Sequence, residues 1–115
     1  MNLPCPACGY STIGEDTYGT YNICPVCGWE DDGVQLANPA SGGGANRESL
    51  IEAQEQALVD HPFEDQSPFQ GFTRDPRWRP LNEDEISKAL HDKEESYWKN
   101  RAVLYPSDAY WSRNG

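Results

Sequence analysis

Apolar positions along the chain form two short helical stripes in a polar, turn-rich background. Leu50, Ala53, Ala57 and Leu58 recur at the spacing that puts them on one helix face. Ser49 and Glu52 have the capping-box spacing, in which each side chain serves a free backbone N–H of the other. A helix is therefore predicted to begin near Ser49, and Pro62 ends it. A second stripe, Ile86, Ala89, Leu90 and Tyr97 with the stem of Lys93, predicts a helix capped by Asn82, with Glu85 three residues on. Glu83, Asp84 and Glu85 complement the positive end of its macrodipole, and Lys99 and Arg101 the negative end. Upstream, Gly14 and Gly19 bracket a turn, and the alternation of TYGTYNI, residues 17–23, predicts a short strand.

Between these stretches the pattern breaks down. Residues 33–46, GVQLANPASGGGAN, read as a loop; the triple glycine at 42–44 suits a flexible connection, since no strand and no following Lys-Ser/Thr make it a phosphate cradle. Residues 61–80 carry four prolines and four aromatics, which predicts an irregular segment lying across the core. The tail is aromatic and interrupted by Pro106.

Composition sharpens this picture. With 115 residues, 37% hydrophobic content and a mean hydropathy of −0.82, the chain is expected to form a single domain with a thin core that gains from a staple. No apolar run reaches the ~20 residues needed to span a bilayer. MNLPCPACGY has no charged region followed by an apolar one, which predicts a cytoplasmic protein. The net charge is −10, and residues 1–46 hold five of the nineteen acids and none of the nine Lys or Arg. Such a field repels nucleic acid and attracts basic surfaces.

The staple is spelled out in the first 30 residues. CPACGY, 5–10, returns as CPVCGW, 24–29, and together they use all four cysteines in a C-x2-C-x15-C-x2-C pattern. Two such pairs at this separation suit one tetrahedral ion with metal–sulfur bonds of about 2.3 Å. Gly9 and Gly28 permit the positive-φ turn that closes each knuckle, and Pro6 and Pro25 stiffen it. A thioredoxin-type redox motif needs only one pair, opening a helix, and disulfides suit exported chains. Iron is the serious rival, because the C-P-x-C-G knuckle resembles that of rubredoxin; rubredoxins are shorter and lack the helical extension. The expected cofactor is one structural zinc held by Cys5, Cys8, Cys24 and Cys27. Four thiolates leave no open position for a water or substrate, so metal catalysis is not expected.

These knuckles, with the WEDDG and GANRESL stretches, make residues 5–54 resemble the cysteine-rich CPCC family of small bacterial proteins. RDPRWRPL, 74–81, is a weaker echo of the same family. Ala7 stands where the family's C-P-C-C pattern has a further cysteine, surplus to a four-coordinate ion. The resemblance brings no catalytic motif. It implies a partner role in toxin–immunity systems.

The fold class expected is α+β: a zinc-ribbon-like, rubredoxin-knuckle module over 3–32, a Gly-rich loop over 33–46, and a helical and irregular part over 47–115. Trp29, Glu30, Asp31 and Asp32 read either as a solvated turn or as a contact for a basic partner, with Glu83 and Asp84 as further contact candidates. A calcium loop is excluded, because the alternating ligands are missing. His61 and His91 read as structural or surface residues, without a neighbouring nucleophile to activate. Trp78, Trp98, Trp111, Phe63, Phe69, Phe72, Tyr105 and Tyr110 are expected mostly to fill the core, with any excess forming an interface. Arg74, Arg77 and Arg79 are expected to pair with carboxylates. The reading is a non-enzymatic zinc protein, an immunity protein or antitoxin that binds a basic toxin domain, with no nucleic-acid or membrane partner. The alternative is a rubredoxin-like electron-transfer or metal-sensing module.

Overall fold

The computed structural model describes residues 2–112. Two short strands, β1 (Leu3–Pro4) and β2 (Ser11–Ile13), pair antiparallel around the first knuckle. Three helices follow: α1 (Gly33–Ala37), α2 (Leu50–Asp60) and α3 (Glu83–Glu95), then two 3-10 turns at Pro106–Asp108 and Tyr110–Ser112. The class is α+β, as the sequence predicts.

Both long helices start where their caps place them. Ser49 Oγ accepts from the Glu52 amide at 3.2 Å while Glu52 Oε1 accepts from the Ser49 amide at 3.0 Å. Asn82 and Glu85 repeat the arrangement at 2.8 and 3.0 Å. On α2, Leu50 and Ala57 are buried and Ala53 and Leu58 pack against the core, as their period requires. On α3 the inward face is narrower than its apolar stripe suggests. Ala89 is buried and Ile86 packs on the core, but Leu90 is 49% exposed, and Tyr97 lies beyond the helix end and is also exposed. Asp92 takes the inward place instead, accepting from Lys88 Nζ at 2.9 Å, Lys99 Nζ at 3.2 Å and Asn100 Nδ2 at 3.2 Å. These donors hold its carboxyl well below the usual carboxylate range, Lys88 contributing most.

Two expectations are corrected. Residues 17–23 form no strand; an isolated bridge, Ile23 to Glu30, and backbone bonds of Tyr21 and Asn22 with Asp31 tie their end to the second knuckle. Thr20 gives its amide and hydroxyl to Asp31 Oδ2, and Tyr21 takes a left-handed φ of 61°, so the extended run is broken. Residues 33–46 are not wholly a loop, because Asp32 caps α1 through Oδ1, which accepts from Val34 and Gln35 amides at 2.8 and 3.2 Å. The rest of that segment wraps around the buried Gln35 amide. Gln35 Nε2 donates to the carbonyls of Ser41, Asn46 and Glu48, and its Oε1 accepts from the Asn46 amide and side chain. Gly44 is required by close approach, since a Cβ there would lie 2.7 Å from Asp32 Oδ2. Gln35→Leu keeps the volume and removes every one of these bonds. It is expected to destabilise the fold by at least about 2 kcal/mol through stranded backbone groups, read by chemical denaturation.

The core runs from the knuckles to the C-terminal turns and includes Tyr18, Trp29, Trp78, Tyr110 and Trp111. Residues 61–80 cross it without regular structure, as expected. Not all the late aromatics are inside: Trp98 is 40% and Tyr105 60% exposed.

Candidate metal centre

The two knuckles use the same local chemistry. The Gly9 amide donates to the Cys5 carbonyl at 2.7 Å and the Cys5 amide to the Tyr10 carbonyl at 2.8 Å. In the second, Gly28 donates to Cys24 at 2.9 Å and Cys24 to Trp29 at 2.8 Å. Gly9 and Gly28 adopt φ of 80° and 83°, the left-handed conformation expected of them. Each turn thereby aims two cysteines to one side.

The four sulfurs converge. Cys5 Sγ lies 3.6 Å from Cys27 Sγ, Cys8 Sγ lies 3.8 Å from Cys24 Sγ, and all four fall within 4.8 Å of one another. Sulfurs bound tetrahedrally at about 2.3 Å from a common ion stand about 3.8 Å apart, whereas a disulfide requires about 2.05 Å. The donor set therefore fits a four-thiolate metal site and not a pair of disulfides. Thr12 Oγ1 donates to Cys24 Sγ at 3.2 Å, the kind of outer hydrogen bond that orients a ligand.

Electrostatics point the same way. Burial pushes the Cys5 thiol up, and hydrogen bonding to Cys24 pushes Cys8 up. Cys24 is pulled down, first by Cys27 and then by the other thiols around it. Four thiolates in one buried cluster need a cation among them.

The knuckles differ in their surroundings. Cys5, Cys8 and Cys24 are buried and Cys27 is half-buried. A Cβ on Gly9 would meet Trp78 Cε3 at 2.3 Å, while one on Gly28 would meet nothing within 4 Å. Among the described residues, the segment after α2 seals the first knuckle. The Asp75 amide donates to the Gly9 carbonyl, the Ser11 amide to the Thr73 carbonyl, and Trp78 Nε1 to the Pro6 carbonyl.

The candidate contact residues divide. Trp29, Asp31 and Asp32 are 1%, 0% and 5% exposed, so they do not form the surface the sequence suggests. Asp32 caps α1 and Asp31 Oδ2 receives Thr20, while Trp29 Nε1 and Asp31 Oδ1 are buried with no hydrogen-bond partner among the described residues. Glu30 is half-buried, and Glu83 and Asp84 stand exposed on the first turn of α3. A cavity of about 360 Å³, not anticipated, opens beside Cys27 and Trp29 against Ala53 and Ala57 of α2. Glu48, Glu52 and Asp60 also line it, and among the described residues no Lys, Arg or His does. Glu52, Gln56 and Asp60 follow at steps of four, a helical period that was legible in the chain.

The arginines also divide. Arg77 pairs with Asp75 at 2.8 Å and Arg79 with Glu85 at 2.7 Å, as expected. Arg74 instead is buried among backbone carbonyls. No described helix is long and apolar enough to cross a membrane. Residues 3–60, half of the chain, match the family model described as Cysteine-rich CPCC. No curated protein matches.

Proposed function

The chain belongs to the cysteine-rich CPCC family, and from that membership we propose that it is a non-enzymatic, zinc-stapled binding protein, an immunity protein or antitoxin that masks a basic bacterial toxin domain. Cys5, Cys8, Cys24 and Cys27 would hold the ion. Zinc supplies a redox-inert cross-link there, and the closed thiolate set leaves it no substrate position.

The observation that carries the reading is the acid-lined cavity. Among the described residues, Glu48, Glu52 and Asp60 have no ion-pair partner, and the cavity they line has the half-buried Ala53 of α2 for apolar contact. Three unpaired carboxylates on an apolar hollow suit a Lys or Arg side chain presented by a partner. The net charge of −10 favours fast encounter with a cationic surface such as a nuclease groove. Glu83 and Asp84 add exposed negative charge on another element.

The test is co-expression with toxins encoded beside the gene. The protein is expected to restore growth and to co-purify with its toxin. The combined variant Glu48→Gln, Glu52→Gln, Asp60→Asn is expected to weaken that complex at least tenfold. Full lethality with every neighbouring toxin would overturn the reading. Iron is the second reading, favoured by the all-sulfur donor set, which suits it equally. A red protein with thiolate-to-iron absorption would establish it, and a colourless zinc-loaded protein would not.

A further inference from the structure

Arg74 lies beyond the stretch matched by the family model, yet it is only 6% exposed and reaches the first knuckle. Its Nε donates to the Cys8 carbonyl at 2.9 Å, Nη2 to His61 at 2.7 Å and Nη1 to Pro62 at 3.0 Å. The Asp65 and Phe63 carbonyls stand farther out, at 3.3 and 3.5 Å. The rings of Tyr10, Phe63 and Trp78 surround its Cζ at 4.8, 5.8 and 5.9 Å. Every one of these partners is neutral.

Among the described residues no carboxylate forms an ion pair with Arg74. The neighbouring acids are engaged elsewhere: Asp75 with Arg77 at 2.8 Å, and Asp65 with the Ser67 amide at 2.9 Å. A guanidinium cannot shed its proton, so its charge stays. Asp65 feels the Arg74 charge, but its carboxylate is exposed and screened by water, and a buried guanidinium with no ion pair carries a desolvation cost that neutral partners offset only in part. Four thiolates around a divalent ion leave two negative charges in excess, on residues whose backbone Arg74 already holds.

We infer that Arg74 is the counter-charge of the metal centre, a positioning residue that makes metal loading and the docking of residues 61–78 a single event. The loaded anionic cage holds the guanidinium in place. The guanidinium gathers the 61–65 carbonyls, and the strap that follows carries Trp78 onto Gly9. Neutral thiols provide no such hold. The inference rests on the four cysteines binding a divalent ion, as proposed above.

The test is a zinc titration of the full chain against a chromophoric chelator. Arg74→Met, which keeps the stem and loses the charge, is expected to weaken zinc binding by about ten- to a hundredfold, the range for outer partners of a metal site. Arg74→Lys, which keeps the charge but not the fork, is expected to retain most of the affinity. Arg77→Gln, at an exposed arginine, is expected to leave it unchanged. Equal affinity of wild type and Arg74→Met overturns the inference, and so does Arg74→Lys falling as far as Arg74→Met, which marks a mere hydrogen-bond hub. Should the Met variant fail to fold, hydrogen exchange of the wild type decides. In the zinc-loaded protein the Ser11 and Asp75 amides are expected to exchange no faster than zinc passes to an added chelator, and exchange of these amides at least tenfold faster than zinc release overturns the coupling. Wild-type protein that takes up no zinc overturns the metal reading along with it; zinc uptake without Arg74 dependence overturns this inference alone.

Discussion

Chelation of the bound metal is expected to abolish the cooperative thermal transition, and re-addition of zinc to restore it. Cys5, Cys8 and Cys24 are buried members of the core cluster, so the ion would cross-link two distant stretches of the core. Structural zinc contributes about 10–16 kcal/mol in small thiolate sites, as much as the whole stability of about 5–15 kcal/mol of a typical domain. A chain with 37% hydrophobic residues has little to set against that loss. Cys24→Ser is expected to act like chelation, because it removes the sulfur that Cys8 and Thr12 both address. Circular dichroism and tryptophan fluorescence are the readouts, since Trp29 and Trp78 lie against the knuckles. An unchanged melting temperature after complete metal removal would refute the staple.

Trp78→Ala is expected to be the most damaging substitution outside the cysteines, at about 3–5 kcal/mol. The indole is 2% exposed, seals Gly9, meets Phe63 edge-on with centroids 6.0 Å apart and donates to the Pro6 carbonyl at 3.3 Å. Its removal leaves a void beside the metal site and takes one of two donors from the Pro6 carbonyl, which Gln54 Nε2 still serves at 2.9 Å. Urea denaturation of the zinc-loaded protein measures the loss. Trp98→Ala, at a ring that is 40% exposed and stacked only on Tyr97, is the control and is expected to cost far less. Equal shifts for the two variants would show that the strap does not brace the knuckle.

What could be read from the chain, and what could not, divides by sequence separation and by competition. The helix starts were legible because a capping box is a four-residue device: Ser49 with Glu52, and Asn82 with Glu85. The metal ligands were legible because their spacing is itself the signal. The burial of Asp31 and Asp32 was hidden, since carboxylates ordinarily face water; here local N–H and O–H donors from Thr20, Val34 and Ala45 outweigh that tendency. The same donation from Thr20 dissolved the expected strand. Arg74 and Trp78 reach across 66 and 72 residues to Cys8 and Pro6, and no local pattern announces contacts of that range. Leu90 shows the limit of periodicity, since a well-served aspartate displaced it from the inner face of α3.

The unequal shelter of the two knuckles has a directional consequence. One is roofed by an indole over two buried sulfurs; the other meets water at Cys27, beside the carboxylate-lined hollow. Among the described residues Cys27 is thus the ligand most open to ions, protons or oxidants, and an occupant of that hollow is expected to slow the filling and emptying of the cage.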